Sequence, residues 1–157
     1  MQEKLYLFNP FKIKDIDAKN LQIMYEEVLQ KLIDNPNSMY EYSHNIEVYS
    51  NLIYIIGEII ARLTKDVIEL KTKINIDTAI NMTNERKSWN KEDGKPPAMA
   101  YFEALATRMS KDDIDKLADK ECSLKRFKNA YSSIEEKINA LKQKTQSIKY
   151  EEFGGNN

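Results

Sequence analysis

The chain reads as an all-α protein built on two long antiparallel helices, a coiled-coil-like helical hairpin braced by two shorter helices and assembling into an oligomer. Three observations predict this. An unbroken heptad seam runs from Tyr42 to Ile74, a second seam of similar length runs from Leu117 to Ile148, and only 4 glycines and 4 prolines occur in 157 residues. Long periodic stretches without breakers favour helix over strand. With 41% hydrophobic and 31% charged residues the composition is globular, and the length suits one domain spanning 1–157.

Residues 1–14 have no helical period and carry Pro10, so they are expected to form an extended arm whose Leu5, Leu7, Phe8 and Phe11 pack on a neighbouring helix or subunit. A first helix is expected from about Asp17 to Ile33, with Leu21, Met24, Val28 and Leu32 on one face, ended by Pro36. Ser38 then caps a second helix reaching about residue 80, about 60 Å at 1.5 Å per residue. Its seam alternates a β-branched set, Ile46, Ile53, Ile60, Val67 and Ile74, with Tyr42, Tyr49, Ile56, Leu63 and Leu70.

Such a seam calls for a helical partner of similar length. Leu52, Tyr54, Ile55 and Ile59 lie off the seam, so one partner cannot cover the middle of this helix; assembly of subunits is expected there, with wrapping by the first helix as the alternative. Residues 83–97 are expected to form a charged loop. Pro96 and Pro97 fit the first turn of a short helix over "AMAYFEALATRM". Ser110 is then the expected cap of the last helix, with Asp112 and Asp113 complementing its dipole. That helix carries Leu117, Leu124, Tyr131, Ile138 and Thr145 in one register and Phe127, Ile134, Leu141 and Ile148 in the other. A connection of about 30 residues would bring the two seams together antiparallel.

Catalysis is not expected. The one histidine, His44, has no second ligand at metal spacing, so no metal site is expected. Asp112 and Asp115 have the spacing of helical metal-dependent hydrolases, but they open a helix, where dipole complementarity accounts for them. There is no phosphate-binding glycine loop, and Cys122 has no activating partner by sequence, so no cofactor is expected either. A single cysteine and the absence of an N-terminal apolar run lead to the expectation of a cytoplasmic protein. "LIYIIGEII" is too short to span a bilayer, so no membrane association is expected.

Net charge is −1, so any polyanion site must be local. Residues 125–149 contain seven basic residues against Glu135 and Glu136, either a solvated helix face or a phosphate-tracking surface. The stretch "ERKSWNKEDGKPP" holds the only tryptophan, Trp89, among Arg86, Lys87, Lys91 and Lys95. Single-stranded nucleic-acid sites combine cations for the backbone with an aromatic ring on which a base stacks. These five residues are therefore the candidate nucleic-acid site. Glu85, Glu92 and Asp93 offset the charge, and Trp89 could instead fold back on a helix end.

The order of long helix, basic and aromatic loop "NERKSWNKEDG", and long C-terminal helix "DKLADKECSLKRFKNAYSSIEEKINALKQKTQSIKYEEFGG" resembles the UvsY-like bacteriophage recombination mediators. The resemblance implies a ring-like homo-oligomer that binds single-stranded DNA, contacts a recombinase and a single-strand binding protein, and loads the former while displacing the latter. It places DNA contact at Arg86, Lys87 and Trp89. Members of that family tend to carry an arginine-glycine step in the last helix, which "QKTQSIKYEEFGG" lacks. The competing expectation is a helical protein-interaction module, an adaptor, assembly factor or inhibitor, in which Trp89 anchors a protein partner.

Overall fold

The computed structural model describes residues 13–89 and 94–154, with side chains to residue 151. Among them lie four α-helices and no strand: α1 (Ala18–Leu29), α2 (Met39–Ser88), α3 (Met99–Met109) and α4 (Lys111–Gly154). The expected arm lies outside the described residues apart from its last two, of which Ile13 is buried. The chain divides into two compact units, Met1–Ala61 with Arg126–Asn157, and Arg62–Lys125. Both long helices run through both units. No helix is long and apolar enough, among the described residues, to cross a membrane.

In the first unit, α1 starts where the Asp17 carboxylate accepts the Asn20 backbone N–H at 2.9 Å and its side-chain amide at 2.6 Å. The backbone bond holds this carboxyl below its ordinary 3.8. The helix stops at Leu29, short of the expected Ile33, because α2 captures the following backbone. Buried Asn45 accepts the Ile33 N–H and donates to the Ile33 carbonyl, both at 2.9 Å. His44 donates from Nε2 to the Lys31 carbonyl at 2.8 Å, the only direction open because a carbonyl only accepts. Asn35 turns the chain with φ 52°, a left-handed conformation that asparagine tolerates better than most residues.

Ser38 caps α2 as expected, and Glu41 completes a capping box. Ser38 Oγ accepts the Glu41 N–H at 3.3 Å, while Glu41 Oε2 accepts the N–H groups of Asn37 at 2.8 Å and Ser38 at 3.3 Å. Those bonds, that from Asn37 first, lower the Glu41 carboxyl from its ordinary 4.5.

The core of this unit joins Leu21 and Val28 of α1, Val48, Leu52, Ile55 and Ile56 of α2, Ile134 and Ile138 of α4, and Ile13. The expected seam is there: Ile46, Tyr49, Ile53 and Ile60 pack against the cluster with Phe127 and Tyr131. Off-seam Leu52 and Ile55 are nevertheless buried more fully than most seam residues, because α1 covers a second face of α2. For Leu52 and Ile55 the cover comes from within the chain, while off-seam Tyr54 and Ile59 are only partly buried. The two long helices run antiparallel: Lys144 lies over the Tyr42 ring at 5.8 Å, Lys137 over Tyr49 at 5.7 Å, and Tyr131 sits beside Gly57.

Gly57 needs no special backbone, and a methyl group there would meet only the Tyr131 ring at 4.0 Å, an ordinary contact. Gly57→Ala is therefore expected to raise stability by about 1 kcal/mol in urea unfolding, the helix-propensity difference.

In the second unit ion pairs between α2 and α4 also follow an antiparallel order. Asp66 meets Lys120 at 2.6 Å, Lys71 meets Glu121 at 2.6 Å, and Lys73 meets Asp113 at 2.5 Å, around buried Val67. Hydrogen bonds from Lys73 and then Lys116 lower the Asp113 carboxyl, and the Asp113 bond raises Lys73. Two expected caps differ. Pro96 and Pro97 precede α3 instead of forming its first turn: the N-cap is Ala98 in extended conformation (ψ 151°), and Pro96, as the residue before a proline, is itself pushed out of the helical region. Ser110 turns its hydroxyl back to the Ala106 carbonyl at 3.3 Å and holds α4 through its own carbonyl, which accepts from Asp113 and Ile114. With one residue between α3 and α4, that side chain closes the first helix instead of opening the second.

Candidate nucleic-acid interface

The segment expected as a loop over 83–97 is helical through Ser88, so Arg86 and Lys87 form the basic last turn of α2. Both are exposed. Cations suit that position because the last carbonyls of a helix carry partial negative charge. Ser88 ends the helix by donating its hydroxyl to the Glu85 carbonyl at 2.9 Å.

Trp89, the next residue, is half-buried. Its Nε1 points at the Gly94 carbonyl at 3.5 Å, and its ring meets Phe102 of α3 edge-on, with centroids 6.3 Å apart and planes at 84°. Gly94 adopts φ 93°, a left-handed conformation in which a side chain would be strained. This turn brings the chain back to the indole. Lys95, one residue on, is exposed.

The structure therefore brings Arg86, Lys87, Trp89 and Lys95 to the turn between α2 and α3; Lys91 lies outside the described residues. Phe102, 2% exposed, is the residue sequence reasoning missed. Its ring also meets Tyr101 edge-on, at 5.6 Å and 82°. The signal was available: Phe102 and Ala106 are four apart on α3, and both are buried. Tyr101 is exposed, as is Arg108 in the last turn of α3. Chemically, the turn offers cations for phosphate oxygens and aromatic rings oriented by a buried phenylalanine.

The basic stretch of α4 is used differently. Lys137 and Lys144 are drawn onto tyrosine rings of α2, a cation–π role, whereas Lys125, Arg126, Lys128, Lys142 and Lys149 are exposed. Cys122 is exposed on the same helix. No group of three or more metal-ligating side chains occurs among the described residues. No known protein family, curated protein or solved structure matches the chain.

Proposed function

We propose that the protein is a non-enzymatic single-stranded-DNA-binding accessory factor of bacteriophage recombination, acting in the cytoplasm, that loads a recombinase in exchange for a single-strand binding protein. The observation that carries the DNA reading is the α2–α3 turn, where exposed Arg86 and Lys87 precede an indole held edge-on by Phe102 and directed at the Gly94 carbonyl, with exposed Lys95 next in the chain. The resemblance to UvsY-like mediators supplies the recombination role. Cations at the turn track phosphates while an aromatic face takes a base. One such turn binds weakly, and several turns on one strand combine through effective concentration, so a chain of net charge −1 can hold a polyanion.

Titration of a labelled oligonucleotide at a series of salt concentrations tests this. Arg86→Ala with Lys87→Ala is expected to flatten the slope of log K against log salt by about 1.4, from about 0.7 per phosphate contact on single strands. Trp89→Ala is expected to cost about 1–3 kcal/mol and Trp89→Phe less, because a ring remains. Absence of binding at low salt would end the DNA reading.

A second reading, a helical protein-interaction module, is favoured by the exposure of Ile68, Ile76 and Ile80 on α2. Under it Trp89 anchors a protein.

A further inference from the structure

Val67 of α2 is buried, while its neighbour Ile68 is 59% exposed. Ile76 and Ile80 continue the row from Ile68 through Thr72 at four-residue steps and are 53% and 52% exposed. A row at this spacing forms one ridge on a helix surface. Beside it runs an open groove of about 400 Å³, lined by Ile68, Glu69, Thr72, Lys73, Ile76 and Asp77. Single exposed isoleucines are ordinary on a protein surface, but three on one ridge with a groove alongside make a contiguous apolar strip.

The charges flanking the strip identify its occupant. Lys65, Glu69, Lys73 and Asp77 also fall at four-residue steps, and their signs alternate. Reversed in direction, that row is its own complement. In an antiparallel two-fold pair the same flank of each helix faces its copy, so Lys65 opposes Asp77 and Glu69 opposes Lys73, each twice. We propose that this ridge is a self-association surface on which a second copy of the chain packs antiparallel about a two-fold level with Lys71, Ile68 of one copy seating between Thr72 and Ile76 of the other.

Within one chain Lys65 lies 3.7 Å from Glu69, and Lys73 bonds Asp113. The Lys65–Glu69 pair is solvent-exposed and of small worth, and the Lys73 ammonium, 57% exposed, has two further donors beyond its bond to Asp113, so neither prevents the new contacts. Ridges at four-residue spacing interlock at about 50°, which keeps the contact short. A short contact makes a small interface, so weak, concentration-dependent association is expected. The inference does not depend on what the α2–α3 turn binds.

Light scattering of the full chain without nucleic acid, over a concentration series, tests the proposal, with circular dichroism confirming helicity of each variant. The wild-type mass is expected to rise above 18.4 kDa with concentration. Ile76→Glu is expected to hold it at the chain mass. Glu69→Lys sets lysine against Lys73 twice and is expected to weaken association about tenfold or more. Adding Lys73→Glu restores the complementary row, and recovery to near wild-type affinity is expected, an effect peculiar to pairing of the chain with itself. A wild type that stays at 18.4 kDa, variants that assemble as tightly as wild type, or a double variant without recovery would each overturn it.

Discussion

Phe102→Ala is expected to destabilise the protein by about 3–5 kcal/mol, the range for removing a buried aromatic ring. Phe102 is 2% exposed in a unit whose buried apolar residues, among those described, are otherwise Val67 and Ala106. Little else can close over the cavity. The same substitution removes the ring against which Trp89 sits and the neighbour of Tyr101. Urea unfolding gives the stability change, and native Trp89 emission should shift to the red as the indole loses its cover. Because Trp89 is the only tryptophan, that signal reports this turn alone. A variant with wild-type stability and emission would mean that Phe102 does not hold the turn. Phe102→Leu, which fills more of the space, is expected to lose less.

Ile55→Ala is expected to cost about 2–5 kcal/mol. Ile55 is 0% exposed and off the heptad seam, in the cluster that Leu21 and Val28 of α1 complete. Ile53 belongs to the seam yet is only partly buried, so Ile53→Ala should cost less. If α2 served mainly one long partner helix, the order would reverse. Unfolding of the two variants at one protein concentration decides between these outcomes, and the Ile55 effect should not depend on concentration because its cover comes from the same chain.

The reversal of depth between Ile53 and Ile55 marks the limit of what the sequence could convey about the fold. A heptad pattern declares which stripe of a helix meets one long partner, and the α2–α4 pairing through Tyr42, Tyr49 and Ile56 was readable in that way. Leu52 and Ile55 were visible as excess apolar residues, but nothing local states whether a neighbouring helix or another subunit covers them. Asn45 was unreadable for a related reason: its partner is the backbone of Ile33, twelve positions earlier, and only the tertiary approach of α2 to the end of α1 makes that bond. That bond also ends α1 early, since residues held by Asn45 and His44 cannot continue the helix. The cap at Ser38 was legible because capping is local chemistry, and Glu41 three residues on completes its signature.

At the candidate site the residue types were legible and their arrangement was not. Arg86 and Lys87 looked like loop residues because the apolar seam fades after Ile74, yet α2 continues to Ser88. Polar helix is hard to tell from loop by periodicity alone. Trp89 does fold back, the arrangement weighed against base stacking, but onto Phe102 and toward the Gly94 carbonyl, and it remains only half-buried. Folding back and ligand contact are thus compatible, since edge-on packing against one ring leaves part of the indole open.

Fluorescence of Trp89 titrated with a single-stranded oligonucleotide at low salt tests the central claim most directly. Saturable quenching is expected, weakened by added salt and shifted to higher oligonucleotide concentration, with a smaller salt dependence, when Arg86 and Lys87 are both alanine. Emission that stays unchanged to saturating oligonucleotide would contradict the DNA-binding account.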